Sequence, residues 1–249
     1  MLTDPARVST ESSKRVGRIA GVLLLVHLAG GLILPYVLMQ PAMAAPGFLE
    51  HAAANAVRIR AAVLLLFMSG AITVAVALTA LPVFRRYGDR LAVLLVVLGA
   101  VDLALHAVEN GTLLSMLSLS QEYAKRGGAD SSLFDGLAAV VGSARRWAHF
   151  TQLLVGGSWI FTLLALLWRA RLVPRLLAGL GMLATVLQVT GVPLLAILGL
   201  GVVTEMAMPL APVYVTVAAW LIVKGFDERQ RSKAEGPPSS TGRSTGDRS

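Results

Sequence analysis

Residues 91–119 read LAVLLVVLGAVDLALHAVENGTLLSMLSL, an apolar run long enough to cross the roughly 30 Å hydrocarbon core of a bilayer as a helix. Its polar side chains recur at positions i, i+4, i+7 and i+8, and they are Asp102, His106, Glu109 and Asn110. Because successive helical residues turn by about 100°, these four share one face, which we call the polar stripe. A charged group at the bilayer centre costs at least ~2.5–3.5 kcal/mol, so we expect the stripe to face the bundle interior.

The composition of the whole chain places it in the membrane class. Only 14% of its 249 residues are charged, against about 25% in soluble domains, and the mean hydropathy is +0.70. The net charge of +8 lies at segment ends and in the tails, as orientation charge does, so no nucleic-acid partner is expected. The absence of cysteine excludes disulfides, thiolate nucleophiles and cysteine metal sites.

Six apolar stretches predict an all-α bundle of six transmembrane helices. They lie at residues 19–39, 61–84, 91–119, 147–168, 176–203 and 206–223. Pro209 and Pro212 predict an irregular first turn in the sixth stretch. The membrane domain covers residues 16–226, between polar tails at 1–15 and 227–249 that are predicted to be disordered.

The connection at residues 120–146 carries a helical signal of its own. Leu133, Leu137 and Val140 recur at helical spacing, and Ser132 with Asp135 forms a weak capping box. We therefore expect an interfacial helix here that leads into the fourth span.

Basic residues predict the orientation of the bundle. With the N-terminus inside, 16 of the 22 Lys and Arg residues fall on the inner side, so both termini are expected in the cytoplasm. A rival interpretation is a signal peptide, suggested by Ala42-Met43-Ala44 after the first apolar run. That run exceeds the ~7–15 residues of a signal h-region, which favours a retained first helix. The expected location is the cytoplasmic membrane.

Three short motifs resemble a bacterial membrane family, the domain of unknown function 4386. They are RIAGVLLL at 18–25, LVPRLLAG at 172–179 and WLIVKG at 220–225, and His149 lies where members often carry a histidine. The chain departs from the family where Leu24 or a neighbour replaces a tyrosine, and where Tyr214 stands for an acidic residue. The second departure puts a polar role for the last helix in doubt. The family has no established activity, so the resemblance implies the class and the topology.

Several groups near the outer ends of other helices could join the stripe in one pocket. Arg58 and Arg60 flank the start of the second span, while Arg146 and His149 open the fourth. Together with Glu109 and Asn110 they predict an outward-facing pocket of mixed charge. Each arginine taken alone favours an interface anchor that binds lipid phosphate.

Metal and cofactor signals are weak. His106 and Glu109 share a face, and His51 or His149 could supply a third ligand, but no fixed spacing makes a signature. A haem held by His27 and His106 is disfavoured, because the two histidines differ in depth by about 10 Å along their helices. His27 alone is expected to be a packed or hydrogen-bonded core histidine, and no metal or cofactor is expected.

Two classes of function remain open, and the oligomeric state is not predicted. The leading one is a membrane protein that binds or transports a small molecule or lipid through a polar pocket in the outer half. The other is an intramembrane enzyme acting on a lipid or isoprenoid, with Asp102 or Glu109 as a buried general acid. A purely structural stripe, bonded to neighbouring helices, would also fit these residues. Few polar residues lie inward of Asp102, which argues against simple proton conduction.

The charge split gives a direct prediction of topology. Reporter fusions at residue 88 and after residue 226 should report the cytoplasm, and a fusion at residue 128 should report the outside. A cytoplasmic signal at residue 128 would overturn the orientation.

Overall fold

A computed structural model describes residues 5–43, 45, 47–127 and 131–226, and within that part every regular element is a helix. The elements are α1 Pro5–Ile33, a π-helix Leu34–Met39, α2 Gln40–Met43, α3 Phe48–His51, α4 Ala56–Lys125, α5 Ser131–Ala170, α6 Arg175–Leu198, α7 Val203–Ala207 and α8 Leu210–Lys224. The predicted all-α class is confirmed. Five helical stretches are long and apolar enough to cross a membrane: Glu11–Met43, Ala56–Lys125, Ser131–Ala170, Arg175–Leu198 and Val203–Lys224.

The helix α4 turns back on itself at Gly88. Its 70 residues would extend for about 105 Å if straight, but Gly88 has φ 176° and ψ 89°, outside the helical region. We call the two arms α4N (residues 56–87) and α4C (residues 89–125). The arms pack together closely, since a Cβ on Gly70 of α4N would lie 2.8 Å from the Leu103 Cα of α4C. The second and third predicted spans are therefore the two arms of one hairpin.

The buried face of α4C continues as a seam with α5. Its buried residues recur at alternating steps of three and four, the spacing of a coiled-coil seam: Ala92, Leu95, Gly99, Asp102, His106, Glu109, Leu113, Met116 and Ser120. Where the two helices meet, the facing residues of α5 follow the same spacing: Arg145, His149, Gln152, Gly156 and Trp159. The polar stripe is thus the central part of a seam that is apolar towards its inner end.

Small residues bring the first and last helices into backbone contact. A Cβ on Gly21 would lie 2.8 Å from the backbone oxygen of Ala218, and one on Gly17 would collide with the backbone of Gly225 and Phe226. Phe226 is fully buried against the Phe84 ring, with 5.5 Å between the ring centroids. These contacts join the end of α8 to α1 and to the end of α4N that lies next to Gly88.

The ends of two predicted segments differ in the structure. The helix α1 already begins at Pro5, so the described residues 5–15 are helical where a disordered tail was expected, and Ser13 is buried. The fifth predicted span ends at Leu198 rather than at residue 203, because Gly199 adopts a left-handed conformation with φ 69°. Residues 1–4 and 227–249 lie outside the described residues.

The outer connection is also more regular than predicted. The helix α4C runs to Lys125, and α5 starts at Ser131 as a single helix of 40 residues, so the expected interfacial helix is the outer part of the fourth span. Phe134 packs edge-on against Tyr123 at 5.4 Å, which extends the helix pair outward. The sixth stretch does begin irregularly, since α7 and α8 are separated at Met208 and Pro209.

The contact between α1 and α8 predicts opposite responses at two glycines of one helix. Gly21→Ala should destabilise the folded protein by about 1–3 kcal/mol, because its new methyl group meets the α8 backbone. Gly31→Ala is the matched control: a Cβ there meets nothing within 4 Å, and alanine favours the helix by up to about 1 kcal/mol. Thermal unfolding in detergent measures both, and equal shifts in Tm would contradict the packing.

Candidate functional site

The polar stripe faces the protein interior. The exposed fractions are 1% for Asp102, 3% for His106, 0% for Glu109 and 8% for Asn110, whereas Val108 on the opposite face is 55% exposed. This orientation follows from the cost of placing ionisable groups in lipid. The stripe must therefore find its bonding partners on neighbouring helices.

Asp102 bonds to two other helical segments through its two carboxylate oxygens. The Nε2 of Gln152 on α5 donates to Oδ1 at 2.8 Å, and the Thr73 hydroxyl on α4N lies 3.2 Å from Oδ2. That hydroxyl also donates to the backbone oxygen of Gly70 at 2.7 Å, so it is shared between two acceptors. Asp102 thereby joins α4N, α4C and α5 near the middle of the bundle.

His106 lies one turn further outward and contacts Asp102 twice. Its Nδ1 is 2.9 Å from the backbone oxygen of Asp102, to which an Nδ1–H donates, and 3.6 Å from the carboxylate Oδ2. The ring is therefore held by its own helix beside the carboxylate. A protonated His106 would form an ion pair with Asp102.

The outer end of the stripe forms a second group, which we call the outer cluster: Glu109, Arg145 and His149. The Glu109 Oε1 is 3.1 Å from Nδ1 of His149 and 3.9 Å from a guanidinium nitrogen of Arg145. The Glu109–His149 contact lacks the alignment of a hydrogen bond. Both carboxylate oxygens of Glu109 are therefore buried without a hydrogen-bond partner among the described residues, and so is the Nε of Arg145. Buried polar groups of this kind cost free energy until they are paired, so the outer cluster has spare bonding capacity.

The other predicted pocket residues take different positions. Arg58, Arg60 and Arg146 are exposed, and Arg58 donates to the Asn55 side chain at 3.3 Å, which fits the anchor interpretation. Asn110 is buried, with its side-chain oxygen unpaired among the described residues. Of the predicted outer groups, the structure brings His149 to Glu109.

Sequence reasoning missed Arg145, the cation that faces Glu109. Adjacent helical residues point about 100° apart, so Arg145 and Arg146 cannot serve the same face. The spacing of Arg145, His149 and Gln152 at i, i+4 and i+7 was the available signal, because it places all three on the α5 face that meets the stripe.

A second polar contact involves the first and last helices. The Tyr214 hydroxyl of α8 lies 3.3 Å from Nδ1 of His27 on α1, and the His27 ring is 6.4 Å from the Trp159 ring, centroid to centroid. His27 is therefore half-buried and hydrogen-bonded, which agrees with the predicted hydrogen-bonded histidine. Tyr214 gives the last helix a polar contact, but with His27 and not with a residue of the polar stripe.

Metal coordination has little support from the described residues. No group of three or more His, Cys, Asp or Glu side chains among them could hold a metal ion. The chemistry that the arrangement offers is hydrogen bonding, ion pairing and proton exchange.

The comparisons with known proteins identify a family. A family model described as a domain of unknown function, DUF4386, matches residues 19–225, a range that includes the whole stripe and both histidine contacts. The predicted family is confirmed. No curated protein and no solved structure matches the chain.

Proposed function

The chain belongs to the DUF4386 family, and we propose that it is a six-span membrane protein that binds or transports a small molecule or lipid. Six spans are supported by the hairpin at Gly88, since each arm of α4 exceeds the ~20 residues that cross a bilayer. The charge split supports cytoplasmic termini, and the proposed location is a bacterial cytoplasmic membrane. The ligand would occupy the outer half of the bundle.

The observation that carries this proposal is the Glu109 carboxylate, whose two oxygens have ion-pair neighbours but no hydrogen-bond partner among the described residues. It is fully buried next to a guanidinium and an imidazole, yet it retains acceptor capacity that the described protein does not use. Glu109 lies nineteen residues after Arg90, about 28 Å along the helix and hence near the outer boundary of the membrane. A ligand with its own hydrogen-bond donors would find partners at this depth without crossing the apolar core.

The inner half of the seam supports a site that opens outward. Inward of Asp102 the buried side chains include the large apolar residues Leu95, Trp159, Leu163 and Phe84. A polar solute that crossed this core would lose its hydrogen bonds to water and meet apolar side chains, which costs free energy. The arrangement favours binding at the outer end, with transport requiring a rearrangement of helices.

The alternative is an intramembrane enzyme on a lipid or isoprenoid. The imidazole of His149 at 3.1 Å from Glu109 makes an acid–base pair, whereas Asp102 already accepts hydrogen bonds on both oxygens. Glu109 would then be the general acid. An enzyme would produce new lipid species on incubation with lipid extract, whereas a binding protein would return its ligand unchanged.

Native mass spectrometry of protein extracted from membranes tests the proposal. The folded protein should carry a non-covalent adduct that Glu109→Gln and Arg145→Gln reduce at least tenfold, because each loses a charge of the outer cluster (about 1.4 kcal/mol or more). Glu122→Gln is the matched control, a carboxylate on the same helix that is exposed and pairs with Arg126 at 3.1 Å. An adduct that all variants keep equally, or no adduct in any of them, would contradict the site.

A further inference from the structure

The amino-terminal part of α5 extends beyond the membrane. Two exposed arginines bound the membrane-crossing part of this helix, since Arg146 and Arg169 lie twenty-three residues apart. This separation corresponds to about 34 Å, close to the roughly 30 Å thickness of the hydrocarbon core. Leu133 precedes Arg146 by thirteen residues and therefore lies about 20 Å outside that core, past the headgroups. Residues 131–146 of α5 are thus surrounded by headgroups and water.

This extension carries exposed apolar side chains in one line, which we call the α5 ridge: Leu133, Leu137, Val140, Ala144 and Trp147. The exposed fractions are 58% for Leu133, 43% for Leu137, 67% for Val140 and 48% for Trp147, and Ala144 is also exposed. Steps of four and three residues alternate along the ridge, which is the spacing of the a and d positions in a coiled coil. Lipid tails do not reach most of the ridge, so a contiguous apolar line there marks a contact with protein.

The same line continues through the membrane. Its next positions at steps of four and three are Thr151, Leu154, Ser158, Phe161, Ala165 and Trp168, each of them exposed or half-buried. Every second position from Ala144 to Ala165 is occupied by Ala, Thr or Ser. Small residues at this spacing let the backbones of two membrane helices approach closely, while the large residues between them fill the remaining space. The whole line from residue 133 to residue 168 can therefore receive one straight helix.

A second copy of the chain matches this line in depth and direction. The last described residue, Phe226, packs against Phe84 one turn from Gly88, and Gly88 lies beside Arg169, so the described chain ends near the opposite end of α5. A second copy inserted in the same membrane carries the identical line at the same depth and in the same direction. It therefore covers both the part of the line in lipid and the part in water.

The distribution of charge suits contact between identical helices. When two copies of α5 lie parallel about a two-fold axis, each residue of the line meets its own counterpart, so a charge there would repel itself. No charged residue occupies an a or d position, or a flanking e or g position, between residues 133 and 168. The charged residues of the extension are Asp135, Arg145 and Arg146, at positions f, b and c, which point away from such a partner.

We propose that two copies of the chain associate through a parallel α5–α5 interface along this line. A contact about 54 Å long and about 10 Å wide covers about 500 Å² on each copy, or about 1,000 Å² in total, which reaches the lower bound for a specific interface. Arg145 and His149 lie on a different face of α5, against α4C. The interface therefore does not depend on the ligand proposed for the outer cluster.

Cysteine cross-linking tests the proposal without background, because the chain contains no cysteine. In liposomes under mild oxidation, Leu137→Cys and Val140→Cys should form disulfide-linked dimers roughly tenfold or more faster than Asp135→Cys and Ala139→Cys. All four positions are exposed, but only the first two lie on the line, where the Cβ atoms of the two copies come close. Equal rates at the four positions, or no cross-link at any of them, would overturn the proposal.

A charge on the α5 ridge gives an independent measurement. Val140→Glu places two carboxylates opposite each other and should weaken dimerisation roughly tenfold or more, measured from photobleaching steps of fluorescently tagged protein in liposomes at decreasing protein-to-lipid ratio. Ala139→Glu, exposed on an adjacent face, is the matched control and should dimerise like the unmodified chain. Because Val140 is exposed, the monomer should stay folded, which the Tm in detergent checks. An unmodified chain that is monomeric at every ratio, or a Val140→Glu variant that dimerises as well as the control, would contradict the interface.

Discussion

The burial of the Asp102 carboxylate in an apolar bundle is the constraint on which the arrangement of the central helices depends. A charge in hydrocarbon is tolerated only when protein groups replace water around it, and here those groups come from Gln152 on α5 and Thr73 on α4N. Meeting that requirement fixes the register of three helical segments at once. The same requirement explains the glycines at positions 70 and 99. They let the helix backbones approach closely enough for short polar side chains to contact one another.

The seam built on this contact changes in polarity along its length. At one end it carries Glu109, Arg145 and His149, whose buried polar atoms have hydrogen-bonding capacity that the described residues do not use. Towards the inside it is closed by apolar side chains such as Leu95 and Leu163. The contacts of Asp102 and the proposed binding site at Glu109 therefore lie on one face of α4C, about two helical turns apart.

Much of this could be predicted from local patterns. The helical class, the span positions and the shared face of the stripe follow from hydropathy and from a spacing of three and four residues. The contacts could not, because they depend on the register between helices. The sequence points to Arg146 as the cation of the pocket, whereas the structure places Arg145 against Glu109, and no local pattern predicts the contact between Tyr214 and His27. Hydropathy does not predict the helix boundaries at Gly199 and Ser131, because backbone caps and long-range packing decide where these helices end and begin.

The most direct test of the central constraint is a double-mutant cycle between Asp102 and Gln152, with unfolding free energies measured in bilayers. For Asp102→Leu, Gln152→Leu and the double variant, the account predicts a coupling of about 0.6–2 kcal/mol, the size of an interhelical hydrogen bond in a membrane. The control cycle pairs Asp102→Leu with Ser158→Ala, whose hydroxyl bonds to the Leu154 oxygen of its own helix, and should be additive. Additivity between Asp102 and Gln152 within about 0.3–0.5 kcal/mol would contradict the account.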